Sequence, residues 1–250
     1  MDYLREWDQD PIWTWPHARR WDDEYGIGTI GPTKRFGNVV FRFRPLADHL
    51  EKYWHQTMDR YHGIKPDFHV GPLEPDFLPG FLKAQNYHLS ETHIILVKDL
   101  LTPRCKTPRV VSIGPALTLA AWEGFHQLEQ RVFRFPPTDA LTIQREVAES
   151  NQTNPSTRLF VAWHENLVIG AAGMTIHRNH AGLWGGQTDP RWRNRGIYRS
   201  LTAAREEYAR QRGLAWTVVE AKETTSYPLL VRWGYREIGR RLVFTPSVPD

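Results

Sequence analysis

Little in this sequence marks it as secreted, membrane-bound or metal-bearing. One of its 250 residues is cysteine, Cys105, which excludes an intrachain disulfide framework and a cysteine-rich metal site and fits a reducing compartment. No run of about 18 apolar residues occurs. The N-terminal MDYLREW lacks an apolar core of signal-peptide length, so the expectation is a soluble, cytoplasmic protein. Gly-x-Ser-x-Gly, a Walker loop and a nicotinamide fingerprint are also missing. So is a strong excess of one charge: 32 Lys and Arg against 28 Asp and Glu leave a formal charge of +4. That favours anionic small-molecule partners and does not by itself indicate nucleic acid. With 40% hydrophobic and 24% charged residues, the chain has a globular balance and the length for one large core or two small ones.

What is present divides into segments. Residues 1–35 carry Trp7, Trp13, Trp15 and Trp21 among Pro11, Pro16, Asp22 and Asp23 and show neither helical nor strand periodicity. The acidic residues argue against base stacking, so this stretch reads as an extended arm packed across a domain surface. Residues 36–100 read as a smaller α/β unit. Val39–Phe43 is a strand, Leu46–Tyr61 a helix, Pro66–Val70 a strand, Leu78–Gln85 a short helix and His93–Val97 a closing strand. Residues 101–107 form a proline-containing linker that holds Cys105, read as inert. Residues 108–250 begin with a strand at Arg109–Ile113 and helices at Thr118–Phe133 and Asp139–Ser150. A hairpin over Arg158–Ile176 and a strand over Ala181–Thr188 follow.

Arg193-Asn194-Arg195-Gly196-Ile197-Tyr198 comes next and opens an amphipathic helix with Ile197, Leu201, Ala204 and Tyr208 on one face. A glycine entering a helix N-terminus lets backbone N–H groups converge on an anion, and the surrounding arginines deepen the field. The stretch reads as a phosphate cradle. Beyond it lie a β-rich run at Leu214–Ala221, a short helix from Tyr227-Pro228 to Trp233, the pair Gly234-Tyr235 and a last strand at Arg240–Phe244.

Arg193, Gly196 and Tyr198 occupy the defined positions of a motif similar to the (Gln/Arg)-x-x-Gly-x-(Gly/Ala) signature of the GCN5-related N-acetyltransferases, the GNAT superfamily. Tyr198 stands where that signature has a small residue. The order of elements over 108–246 resembles the same family throughout. The resemblance implies an α/β (α+β) fold with a central mixed sheet flanked by helices, and an acyl-coenzyme A-dependent N-acyltransferase that transfers acetyl. The acceptor would be a small amine or amino-acid-like molecule, and acetyl-coenzyme A the donor, with no metal. By the same resemblance Gln187, Thr188, Arg193, Asn194, Arg195, Gly196, Ile197, Tyr198 and Arg199 contact the coenzyme. Residues 36–100 resemble a truncated, degenerate half of the same fold, with Asn86-Tyr87 set against Gly234-Tyr235 and no glycine cradle. A catalytically degenerate acyl-coenzyme A sensor is the alternative.

Acyl transfer to an amine requires a base for the amine and an acid for the departing thiolate. Glu220, at the end of its strand, is the candidate base, against the reading of a salt bridge at the rim. The family's acid is a tyrosine four residues before the Gly-aromatic pair, a position occupied here by Leu230, which leaves Tyr227 as the candidate. His177 and His180 lack a third ligand in register and read as solvent-exposed turn histidines.

Overall fold

The computed structural model describes residues 2–9, 18–31, 37–101, 111–152 and 156–247; Cys105, Trp13 and Trp15 lie outside them. Packing divides the chain into two compact units, Met1–Leu96 with Glu220–Asp250, and Val97–Val219. The chain leaves the first unit within strand β5 (Tyr87–Asp99) and returns within β10 (Trp216–Lys222).

The first unit contains α1 (Tyr3–Gln9), β1 (Arg19–Asp23), β2 (Gly26–Ile30), β3 (Val39–Phe41), α2 (Leu50–Arg60), β4 (Asp67–Val70) and α3 (Leu78–Ala84). The start of β5, the end of β10, α7 (Tyr227–Arg232) and β11 (Arg236–Pro246) complete it. Its strands are ordered β1-β2-β3-β4-β11-β5. β3 and β4 are parallel, with Val40 beside Phe68, as expected of a βαβ unit crossing through α2. β11 returns antiparallel to β4, with Phe244 beside Phe68. The core is aromatic: Trp54 stacks on Phe68 at 5.3 Å, and Tyr87 meets both edge-on. All three are buried, and rings of this size supply most of the apolar area that a small unit has available.

The reading of residues 1–35 as an extended arm requires correction. The described part forms α1 and the hairpin β1–β2, paired from Arg19↔Ile30 to Asp23↔Gly26. β2 escaped notice because glycine is a poor strand former, yet glycine is what position 28 needs. A Cβ there would lie 2.4 Å from the Trp21 ring, which itself donates a hydrogen bond to Tyr61 Oη at 3.2 Å. Trp7 is only 1% exposed, a core residue and no surface ornament. β5 and β11 are also longer than their apolar runs, because their polar ends still take part in the sheet.

The second unit contains β6 (Ser112–Pro115), α4 (Leu119–Phe133), α5 (Ala140–Ser150), β7 (Thr157–His164), β8 (Leu167–Ile176), β9 (His180–Thr188) and α6 (Ile197–Gln211). The strands are ordered β10-β9-β8-β7-β6. Each helix of the α4–α5 pair starts at a capping side chain: Thr118 accepts from Ala121 N at 3.3 Å and Asp139 from Thr142 N at 3.0 Å. Trp122, Phe125 and Leu128 of α4 and Ile143 of α5 pack on Leu159, Val161 and Val168. The reading of His180 as exposed is also corrected. It is 4% exposed, stacked between His177 at 4.5 Å and Trp216 at 4.1 Å, since β9 begins at this residue and turns it inward.

Between α4 and α5, the buried His126 lies 2.7 Å from Glu146 and 3.2 Å from Glu129. Burial disfavours its charge, but the two carboxylates outweigh that and raise its pKa to about 9. A raised folded-state pKa gives stability that is complete below the unfolded value near 6.5 and is lost as pH rises through about 9. Chemical denaturation should therefore show the protein losing on the order of 2 kcal/mol between pH 6 and pH 9.5, after allowance for solvent screening. His126→Gln should be less stable at pH 6 and should lack this loss. Equal pH dependence in the two proteins would exclude the clasp as its source.

Candidate functional site

The cradle lies in the second unit and is built by β9 and the start of α6. Against β8, Gln187 faces Ala171 while Trp184 faces Gly173. Gly185 and Gly186 thus stand opposite the single residue Ala172, a bulge made possible by Gly185 at φ 61°. On its other side β9 is parallel to β10 from His180↔Trp216 to Leu183↔Val219, and it continues past that ladder to Thr188. Asp189 N donates to Ile169 O at 2.9 Å. Because successive N–H groups of a strand alternate edges, Gln187 directs its N–H to β8 and Thr188 directs its own to the opposite edge. Of Gln187 and Thr188, the two β9 residues expected to contact the coenzyme, Thr188 is the one with that orientation.

The turn after β9 is held by a buried carboxylate. Asp189 accepts from Arg191 N at 3.0 Å, from the Arg191 guanidinium at 3.0 and 3.1 Å, and from Arg131 Nε at 3.2 Å. These bonds, chiefly those from Arg191, hold its pKa below the usual carboxylate range. Asn194 and Gly196 then adopt left-handed conformations, φ 61° and 76°, which reverse the chain into α6. The first helical bond runs from Ser200 N to Gly196 O, 3.0 Å. The N–H groups of Gly196, Ile197, Tyr198 and Arg199 therefore head the helix without helical acceptors. Arg193, Asn194, Arg195 and Gly196 are exposed and Arg199 half-buried, with the Arg195 guanidinium 4.8 Å over the Trp192 ring. Ile197 is buried and faces the core.

Tyr198 reveals what the motif comparison could not. A Cβ on Gly186 would lie 2.6 Å from Tyr198 Cε2, so the ring rests on the bulge and is accommodated by a glycine across from it. Burial raises the pKa of its hydroxyl. The bulge and α6 are tied together by Arg205, 2% exposed, which donates to Gly173 O at 2.9 Å and Trp184 O at 3.3 Å.

Glu220 and Tyr227 belong to the first unit. Glu220 is no rim residue, its side chain being 14% exposed. Its Oε1 lies 2.8 Å from Arg241 Nη1 and its Oε2 3.7 Å from His93 Nδ1. Burial alone would raise its pKa; Arg241, His93 and His69 together bring it below the ordinary value. His93 is raised in turn, first by the Glu220 carboxylate 3.7 Å away and then by Glu91 at 2.8 Å, against the cost of burial. His69 is driven down to about 3 by burial and by Arg241, and it is a neutral imidazole at physiological pH. His69, His93 and Arg241 escaped the sequence reading because they are far apart in the chain and only strand register assembles them. Tyr227 donates a hydrogen bond to Glu237 at 3.3 Å. Among the described residues no group of three or more His, Cys, Asp or Glu is arranged to hold a metal.

In the second unit a bulged strand leads into a left-handed glycine at a helix N-terminus. Residues 122–235 match the model for "Acetyltransferase (GNAT) family". Solved structures similar to the chain include a functionally unknown conserved protein from Staphylococcus epidermidis, at 12% identity with 93% of this chain and 95% of that chain covered, TM-score 0.65. A GCN5-related N-acetyltransferase from Kribbella flavida aligns at 13% identity over 93% and 90%, TM-score 0.64. A tandem GNAT protein from the clavulanic acid biosynthesis pathway aligns at 13% identity over 90% and 80%, TM-score 0.59. At these identities the structures show the fold, a mixed α/β sheet flanked by helices. No curated protein sequence matches the chain significantly.

Proposed function

We propose that the protein is an acetyl-coenzyme A-dependent N-acyltransferase that transfers the acyl group directly to a small amine or amino-acid-like acceptor. The observation that carries this reading is the left-handed Gly196 at the head of α6, in a domain that matches the acetyltransferase family. The residues fit an acyl-coenzyme A. The N–H groups of Gly196 to Arg199 and the exposed Arg193 and Arg195 would hold its pyrophosphate, and Thr188 N–H would polarise the acyl carbonyl. When bound, the coenzyme supplies an activated thioester. Glu220, with its lowered pKa, is better suited to orienting and charging His93 than to removing a proton itself, since a base works best with a pKa near the working pH. We assign proton acceptance to the His93–Glu220 pair and leave thiolate protonation by Tyr227 as a weaker assignment, given its bond to Glu237.

Residues 36–100 we read as a degenerate half-copy of the fold. In support, Asn86 and Gly234 both have positive φ, 63° and 89°, and each precedes a buried tyrosine. A cytoplasmic location fits the single cysteine. Among the described residues no helix is long and apolar enough to cross a membrane.

Gly196→Asp should weaken acetyl-coenzyme A binding at least about tenfold by calorimetry, because it sets a carboxylate against pyrophosphate. An unchanged dissociation constant in the folded variant would remove the cradle. The alternative of a catalytically degenerate acyl-coenzyme A sensor is favoured by one observation, the buried Leu230 at the position where the family has its tyrosine acid. Thiol release from acetyl-coenzyme A across an amine library decides between them, since a sensor binds without turnover.

A further inference from the structure

Strand β1 ends the sheet of the first unit: it pairs with β2 along one edge, and no strand among the described residues pairs with the other. An open edge offers unpaired N–H and C=O groups to any second strand, and proteins usually blunt it with proline, a bulge or charges that repel a copy. β1 has none of these. It contains no proline, and its register with β2 runs unbroken from Arg19↔Ile30 to Asp23↔Gly26. Its sequence is Arg19-Arg20-Trp21-Asp22-Asp23, positive before the tryptophan and negative after it. Arg19, Arg20 and Asp22 are exposed, and Trp21 and Asp23 are half-buried.

Such a strand is the electrostatic complement of itself. Laid antiparallel on a second copy with Trp21 at the two-fold axis, it sets Arg20 opposite Asp22 of the copy and Arg19 opposite Asp23, and the reverse. Opposite charges directly across an antiparallel pair attract, and like charges destabilise. A shift of two residues either way would set Arg20 or Asp22 against its own copy, and an in-register parallel pairing would set every charge against its like. Alternation puts Arg20 and Asp22 on one face, where they form an exposed pair at 3.0 Å. Across the axis two such pairs make a ring of four alternating charges. On the other face Trp21 donates to Tyr61 Oη at 3.2 Å and lies under the Arg60 guanidinium at 4.4 Å, and Arg60 also holds Asp23 at 2.7 Å. The strand is thereby braced from the end of α2, so pairing orders little that is not ordered already.

We propose that β1 is a dimer edge, at which two copies of this chain join by antiparallel β1–β1 pairing about Trp21. The contact is isologous and closes at two chains, since it uses up the edge of each. A strand of five residues on each side buries less than a permanent interface does, so the dimer is weak and concentration-dependent. It is independent of the acyltransferase reading.

Sedimentation equilibrium on the full chain, from about 5 to about 500 μM and at low and high salt, tests it. The mean mass should rise toward twice that of the chain as concentration increases, and should rise less at high salt, which screens exposed charges. Arg20→Asp should weaken association at least about tenfold, because four carboxylates then meet at the axis. Asp22→Arg should do the same with four guanidinium groups. Mixed in equal amounts, the two variants should associate again, and so should the double variant Arg20→Asp/Asp22→Arg, since each arrangement restores opposite charges across the axis. Both positions are exposed, and thermal melting followed by circular dichroism checks that the single variants are folded. A protein that stays monomeric over this range, or self-association indifferent to both single substitutions, overturns the proposal. Association lost in both single variants and not recovered in their mixture also overturns it, because charge matching would then not be the cause.

Discussion

Glu220→Gln should lower turnover about a hundredfold at neutral pH, the low end of the range for acid–base catalysis, while coenzyme affinity stays nearly unchanged. The geometry adds a signature. The first cause of the raised His93 pKa is the Glu220 carboxylate 3.7 Å away, so removing that carboxylate should move the acidic limb of the pH–rate profile to lower pH. The deficit should also shrink at high pH, where an acceptor amine deprotonates without help. His93→Gln should produce a similar loss without any such limb. Because Glu220 also neutralises Arg241, whose side chain is 9% exposed, Glu220→Gln should be less stable, and its rates must be taken well below its melting point. A purely structural Glu220 would give a loss of folded protein with normal turnover per folded molecule and an unmoved pH profile, and that result would end the catalytic assignment.

Arg205→Leu should cost about 3 kcal/mol of stability in urea denaturation. The estimate follows from leaving two buried carbonyls, Gly173 O and Trp184 O, without their charged donor, each such loss being worth roughly 1–3 kcal/mol. Arg205→Lys should fall between the two, since an ammonium keeps the charge and can reach the carbonyls that Nη1 bonds but loses the Nε and Nη2 bonds to Leu201 O and Thr202 Oγ1. A second effect is expected at the cradle. Arg205 joins α6 to the bulged strand, so in conditions where Arg205→Leu remains folded its acetyl-coenzyme A affinity should fall. A loss of stability below about 1 kcal/mol would mean that β8 and β9 hold the bulge by themselves.

How much was legible beforehand depended on whether a feature is local. The helix over Ile197–Gln211, the glycine that starts it, and the strand before it were readable because periodicity and a left-handed turn are properties of a few adjacent residues. The same holds for the α4–α5 pair and for the strand–helix–strand order around α2. β2 was not legible, since its glycines are explained only by the Trp21 ring that rests on one of them.

By itself, then, the sequence determined the order of elements from α4 to α7 and the match of residues 122–235 to the family model, both of them consequences of short-range pattern. The tertiary structure alone decided the surroundings of the polar groups. Register placed His93 and Arg241 on either side of Glu220, and with them the direction of its pKa shift. The fit of Tyr198 against Gly186 turned an apparent defect of the motif into a packed contact. Helix α1 put Trp7 over Arg241. Charge, burial and hydrogen bonding act through space over a few ångströms, and the residues they couple here are separated by up to hundreds of positions in the chain, where no periodicity can register them.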